Sequence, residues 1–85
     1  MGKQLVRSVD SIAANISEGY GRYHFSESKR FFYFSRGSLY ETGTWLLKAH
    51  SRGLLDESTY SLLEQQVNGL ARMLNFLINK VGPQQ

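Results

Sequence analysis

The chain has 85 residues, a net charge of +3, a pI near 9.5 and an apolar content of 41%. A chain of this length forms one domain (residues 1–85) with a core that is only just large enough. It contains no cysteine, which excludes disulfides, catalytic thiolates and cysteine-ligated zinc. No apolar run is long enough to cross a bilayer and no apolar signal region begins the chain, so we expect a cytoplasmic protein with no membrane partner.

The first predicted helix runs from Lys3 to Glu18. Gly19 is predicted as the left-handed residue that ends it, and Gly21 gives the turn a second permissive position. The connection to the next helix is short, which predicts an antiparallel pair. Apolar residues recur along one face at steps of four, three and four, and they are Leu5, Val9, Ile12 and Ile16.

The second predicted helix, Glu27 to Arg52, is the longest element, so the other helices should pack on it. Ser26 is predicted as its N-cap and Gly53 as its end. Large and small residues alternate along it at coiled-coil spacing, which should let a partner backbone come close at the small positions. These residues are Phe32, Ser35, Leu39, Thr42, Leu46 and Ala49. Gly37 and Gly43 lie inside this helix at a cost of about 1 kcal/mol each relative to alanine, and we expect close helix packing to compensate.

The third predicted helix follows Asp56, its predicted N-cap, and runs to about Val81 before Gly82 and Pro83. Its apolar face has no break, and its members are Tyr60, Leu63, Val67, Leu70, Leu74, Leu77 and Val81. The fold class is therefore all-α, an antiparallel bundle of three helices.

A second apolar set lies off these faces. The first helix is about 24 Å long and the other two are about 37 Å, so it cannot cover their whole groove. Exposing so much apolar area is unusual for a monomer, which favours a homo-oligomer; the alternative is a thicker core in a monomer with a few exposed aromatic residues. The predicted oligomer interface is Phe31, Phe34, Trp45, Leu62, Met73 and Phe76.

The excess positive charge is concentrated at the bundle end that holds the first turn. That end has six basic and two acidic residues, a net charge of +4. The other end has four basic and five acidic residues, a net charge of −1. Lys29, Tyr33, Arg36 and Tyr40 also share one stripe, and alternating cations and aromatic rings suit a phosphate backbone with stacking bases. The alternative is a solvated helix face. The predicted nucleic-acid-binding residues are Arg22, Tyr23, Lys29, Arg30, Tyr33, Arg36, Arg72 and Lys80.

Catalysis has little support. His24 and His50 lie near opposite ends of the second helix, so they form no metal pair, and no helix carries paired metal-ligand spacing. No serine lies in a nucleophile-elbow context. We expect no enzyme activity, no metal and no cofactor.

Residues 11–22 (Ser-Ile-Ala-Ala-Asn-Ile-Ser-Glu-Gly-Tyr-Gly-Arg) and 36–41 (Arg-Gly-Ser-Leu-Tyr-Glu) resemble the bacterial four-helix-bundle proteins encoded by 23S rRNA intervening sequences. The resemblance spans nearly the whole chain. Members of the family usually carry a further helix before the first one predicted here and commonly have proline at the position of Ala13. The related accessory variability determinants of diversity-generating retroelements form pentameric barrels and bind nucleic acid. The resemblance thus implies a bundle that lacks the family's first helix, a homo-oligomer with the pentamer as its known form, and RNA or DNA as a partner.

Residues 18–22 can be interpreted in two ways. In the structural interpretation, which we favour, they end the helix, Tyr20 packs back and Arg22 or Glu18 pairs with a neighbouring helix. In the functional one, Tyr20, Arg22 and Tyr23 meet a partner. For the whole chain, the leading hypothesis is a non-enzymatic bundle that binds RNA or DNA through backbone charge. The alternative is a protein–protein scaffold that docks through its aromatic face without nucleic acid.

Overall fold

The computed structural model describes residues 2–22 and 24–81, which form three helices. They are α1 (Gly2–Tyr20), α2 (Phe25–Ser51) and α3 (Glu57–Val81). Contacts of α2 with α1 and with α3 both run in the antiparallel sense. The all-α bundle of three helices is therefore confirmed, whereas the predicted closure of α3 by Gly82 and Pro83 lies outside the described residues.

The two ends of the α2–α3 connection are as predicted. Gly53 has a φ of +75°, and the amides of Gly53 and Leu54 donate to the carbonyls of His50 and Ala49, which caps the last turn of α2. The Asp56 carboxylate accepts the Thr59 amide at 2.8 Å and so caps α3. This backbone hydrogen bond, with weaker support from side chains, lowers the pKa of Asp56.

The start of α2 differs from the prediction. The N-cap is His24, whose side chain makes no capping hydrogen bond, and Ser26 lies inside the helix. The helix begins two residues earlier than expected because the Ser28 amide already donates to the His24 carbonyl at 3.0 Å. The prediction of Ser26 as the N-cap of α2 was therefore wrong.

The alternating large and small residues predicted on α2 form its core stripe, and all six are buried. Leu39, with no exposed surface, packs with Ile12 of α1 and Leu74 of α3 in the central cluster. This confirms that α2 organises the fold, because both other helices bury their central residues against it.

The α1–α2 contact is close and largely polar. The Ser35 hydroxyl donates to the Ile12 carbonyl at 2.9 Å, and the Thr42 hydroxyl donates to the Ser8 hydroxyl at 2.9 Å. Val9, predicted on the buried face, is instead 47% exposed, while Ser8 is buried. That prediction was wrong because hydrogen-bonded serine and threonine residues, rather than the apolar face alone, set which side of α1 meets α2.

Three glycines have roles other than those predicted. Gly19 does not end α1 in a left-handed conformation; it lies within the helix, where a Cβ would come within 2.6 Å of the Phe32 ring. Gly19 therefore provides the close approach that we had expected at Gly37 and Gly43. A Cβ at either of those positions would meet nothing within 4 Å, so the prediction of close packing there was wrong for the single chain.

The third contact that would close the bundle is missing. Among the described residues, no Cα of α1 lies within 8 Å of a Cα of α3, and the molecule measures 46 × 21 × 13 Å. Leu70, predicted on the buried face of α3, is 36% exposed for this reason, whereas Ile78, which the apolar pattern had left out, is buried. The difference in helix lengths predicts a gap at one end of the bundle, whereas the observed gap runs along the helices.

Within residues 2–22 and 24–81, no helix combines the length and apolarity needed to cross a membrane.

Candidate nucleic-acid interface

The cation–tyrosine stripe, Lys29, Tyr33, Arg36 and Tyr40, lies along one edge of α2. The Tyr33 ring lies between two cations: the Arg36 guanidinium is 4.8 Å and the Lys29 ammonium 6.0 Å from its centroid. Tyr33 and Tyr40 are 43% and 61% exposed, so both rings are open to solvent. Cations beside exposed rings can contact phosphates while the rings stack on bases.

The neighbouring edge of α3 extends this surface. Arg36 Nη1 donates to Asn75 Oδ1 at 2.8 Å across the α2–α3 boundary, which holds the guanidinium beside α3. Arg72 is exposed and lies three residues before Asn75, within about 60° of it around the helix. The structure thus brings Lys29, Tyr33, Arg36 and Arg72 to one side of the molecule.

Arg22 and Arg30 belong to a second cluster, around Phe31. Their guanidinium carbons lie 4.7 and 5.5 Å from the Phe31 ring centroid. Arg22 also pairs with Glu18 at 2.7 Å and lies 3.9 Å from Glu27, so nearby carboxylates offset its charge. The Tyr20 ring meets the Phe32 ring edge-on at 5.7 Å. These contacts agree with the structural interpretation of residues 18–22.

A further predicted residue, Lys80, is not part of this surface. Lys80 lies 5.8 Å from the Phe76 ring centroid, on a different flank of α3 from Asn75. Tyr23 lies outside the described residues. Grouping charges by their position along the bundle did not separate Lys80 from Arg72, because that grouping ignores the angle around the helix.

The predicted oligomer interface is divided between two helices. Phe31, Phe34 and Trp45 lie on α2, where the Phe31 and Phe34 rings meet edge-on at 5.8 Å. Trp45 Nε1 is buried and has no hydrogen-bond partner among the described residues, while the Lys48 ammonium lies 4.7 Å from the ring centroid. Leu62, Met73 and Phe76 are all exposed on the outer side of α3, Phe76 to 62%. The six side chains therefore do not form one continuous patch in the single chain.

A second apolar surface, separate from the six predicted interface residues, lies between α1 and α3, where the two helices do not contact each other. This apolar groove has a volume of about 270 Å³. Leu5 and Val9 line it from α1, Leu39 forms its floor on α2, and Leu63 and Leu70 line it from α3. The sequence indicates its walls, since Val9 and Leu70 belong to predicted apolar faces, but not that these faces stay uncovered in the single chain.

Among residues 2–22 and 24–81, no group of three His, Asp or Glu side chains is placed to hold one metal ion. His50 instead stacks on Tyr60 with ring centroids 4.2 Å apart, and its Nε2 lies 2.9 Å from Glu57 Oε1. These contacts join the end of α2 to the start of α3.

The family model described as 23S rRNA-intervening sequence protein matches residues 1–76. The chain belongs to this family. The match includes all of α1 and α2 and most of α3, and therefore Lys29, Tyr33, Arg36 and Arg72. No curated protein and no solved structure matched the chain.

Proposed function

We propose that this member of the 23S rRNA-intervening sequence protein family is a non-enzymatic bundle protein that binds single-stranded RNA through the cation–tyrosine stripe. The observation that carries the proposal is the exposed Tyr33 ring between Lys29 and Arg36. Within the described part of the chain, carboxylates pair with Arg22 and His50 but with neither of these two cations. Their charges are therefore free to meet phosphates.

The position of the cations also supports a binding role. Lys29 and Arg30 lie in the second turn of α2, near the positive end of the helix dipole, where a cation gains no stabilisation from the dipole. Helix stability therefore does not explain them, whereas phosphate contacts do. The family name links the chain to an rRNA gene insertion and favours RNA over DNA.

A salt titration tests the proposal. In the triple variant Lys29→Gln, Arg36→Gln, Arg72→Gln, binding to a short oligouridine strand should weaken strongly. The slope of log K against log salt should become shallower by about two, because each lost phosphate contact on a single strand contributes about 0.7. Circular dichroism should show unchanged helicity, since none of the three side chains is buried.

The matched control removes the same charge from the other end of the molecule, with Lys3→Gln, Arg7→Gln and Arg52→Gln. This variant should keep the salt slope of the parent protein. Equal slopes for the two triple variants would reject the stripe as the binding surface, and affinity indifferent to salt would reject backbone binding altogether.

We also propose that copies of the chain cover the apolar groove of one another. Light scattering over a range of concentrations should show an oligomer, and Val9→Glu with Leu70→Glu should dissociate it. Leu54→Glu, at an exposed position in the α2–α3 connection, should not. A monomer at every concentration would contradict self-association and favour the scaffold alternative, in which another protein docks on the exposed aromatic face.

A further inference from the structure

A separate cleft of about 220 Å³ opens between α2 and α3, on the side of the cation–tyrosine stripe. Its floor is formed by the buried side chains of Leu39 and Leu46, while Tyr40, Glu64 and Asn68 line its exposed walls. An apolar floor with a few polar groups at the rim is the usual construction of a small-ligand site. Because the volume is below the ~300 Å³ at which drug-sized pockets begin, it suits a single planar ring system.

Gly43 keeps this cleft open. It lies in the middle of α2 and lines the cleft, and a Cβ at this position would meet nothing within 4 Å. A glycine inside a helix costs about 1 kcal/mol relative to alanine, and no packing in the described chain compensates. The space left by the missing side chain is the open part of the cleft.

The polar wall favours a ligand that donates hydrogen bonds. Glu64 Oε2 already accepts the Tyr60 hydroxyl at 3.1 Å. Burial of the phenol, together with this hydrogen bond and the Glu64 charge, raises the pKa of Tyr60, so the phenol remains the donor. A carboxylate has about four acceptor positions, which leaves Glu64 able to accept from a ligand. The Asn68 amide, one turn further along α3, can both donate and accept.

Tyr40 joins the cleft to the proposed RNA surface. It is the last residue of the cation–tyrosine stripe and also a wall of the cleft. The distance from Lys29 to Gly43 along α2 is about 21 Å, so a strand lying on the stripe reaches the cleft directly. An unpaired base can turn out of the strand and stack on an aromatic side chain, as is usual in single-stranded RNA recognition.

We propose that the cleft binds one unpaired guanine of the RNA strand, with its ring against Tyr40 and its N1–H and N2–H₂ groups donating to the Glu64 carboxylate. Guanine fits because it presents two adjacent donors on its pairing edge, whereas the adenine and cytosine edges pair a donor with an acceptor and the uracil edge has one donor between two acceptors. The inference rests on the proposed function, since the stripe supplies most of the affinity and the cleft supplies the base preference.

The test compares short uridine strands that carry a single guanosine, inosine or adenosine near the middle. The guanosine strand should bind about tenfold more tightly than the adenosine strand, the size expected of one bidentate contact. Inosine lacks the N2 amino group and should fall between them. Equal affinities for the three strands would overturn the proposal.

Two variants locate the preference. Gly43→Leu should fill the cleft and remove the guanosine preference while the protein stays folded, because the position has free space and leucine is a better helix former. Its control is Gly37→Leu, at another open position in α2 outside the cleft. Glu64→Gln should also abolish the preference, whereas Glu41→Gln, an exposed carboxylate elsewhere on α2, should keep it. A guanosine preference that survives Gly43→Leu would place the recognition elsewhere.

The two proposals fail in different ways. If the parent protein binds all three strands with the expected salt dependence but without preference, only the guanine inference fails. If no strand binds, the proposed function fails as well. The readout for the cleft is the ratio of affinities, so a general change in affinity in any variant does not obscure it.

Discussion

The two faces by which α2 holds its neighbours are built on opposite principles. Toward α1 it presents mainly small residues, and a hydroxyl–carbonyl hydrogen bond joins Ser35 to Ile12. The one large ring on this side, Phe32, lies against Gly19, which has no side chain. Toward α3 it presents large apolar residues, with Leu39 against Leu74. The α1–α2 contact depends on glycine and on short side chains, which let the backbones come close. The α2–α3 contact depends on large side chains that fill the space between the helices.

This difference also determines where the molecule can bind other things. Close packing at Ser35 and Gly19 leaves little room between α1 and α2, whereas openings remain beside α3. Both the cleft at Gly43 and the groove under Leu70 border α3. The two openings therefore lie on either side of α3, the cleft toward α2 and the groove toward α1.

The strongest way to break the α2–α3 contact is Leu74→Ala. Leu74 has no exposed surface and lies in the central cluster, so the cavity left behind should cost about 2–5 kcal/mol of unfolding free energy. Urea unfolding followed by circular dichroism measures this. Leu47→Ala, at a position that is 53% exposed on α2, should stay within about 0.5 kcal/mol of the parent. Similar losses for both variants would contradict the central role of Leu74.

The large buried residues of α2 were also more predictable from sequence than its small ones. The seven-residue spacing of Phe32, Leu39 and Leu46 is a strong signal, because apolar residues on one helical face are buried wherever a partner is present. The same reasoning failed for Val9, since an apolar face indicates what should be covered but not whether this chain covers it. The small face of α1 had a weaker signal: Ser8 and Ser11 meet Thr42 and Ser38 of α2, while Gly19 lies against Phe32.

Part of the candidate site could likewise be predicted. The register of Lys29, Tyr33 and Arg36 follows from helix geometry alone, and the structure keeps that stripe. The cleft could not be predicted, because it depends on how far α3 lies from Gly43. A sequence shows that a helical glycine is costly, but not whether a neighbour fills the space beside it.

A matched pair of glycines sharpens the comparison between the two contacts. Gly19→Ala should lower the unfolding free energy by about 1–3 kcal/mol, because its Cβ would come within 2.6 Å of the buried Phe32 ring and force α1 outward. Gly43→Ala should instead raise it by up to about 1 kcal/mol, since the space is open and alanine favours the helix. The midpoint temperature of thermal unfolding should therefore fall for Gly19→Ala and rise for Gly43→Ala. A Gly19→Ala variant as stable as the parent would mean that Gly19 is not required for close packing of α1, and a destabilised Gly43→Ala variant would contradict the open space beside Gly43.

The smallest expected effect concerns the hydroxyls between α1 and α2. Thr42→Val keeps the shape of the side chain but removes a hydroxyl whose single proton is shared between the Ser8 hydroxyl and the Ser38 carbonyl, while the Ser8 hydroxyl still donates to the Leu5 carbonyl at 2.9 Å. Because the Ser8 hydroxyl keeps a hydrogen bond, the unfolding free energy should fall by only about 1 kcal/mol, the net contribution of one buried hydrogen bond. Thr44→Val removes a similar hydroxyl on the exposed side of α2 and should cost much less. Urea unfolding followed by circular dichroism measures both losses. Equal unfolding free energies for the two variants would mean that burial adds nothing to the Thr42 hydrogen bond, and that the fit of small residues alone holds α1.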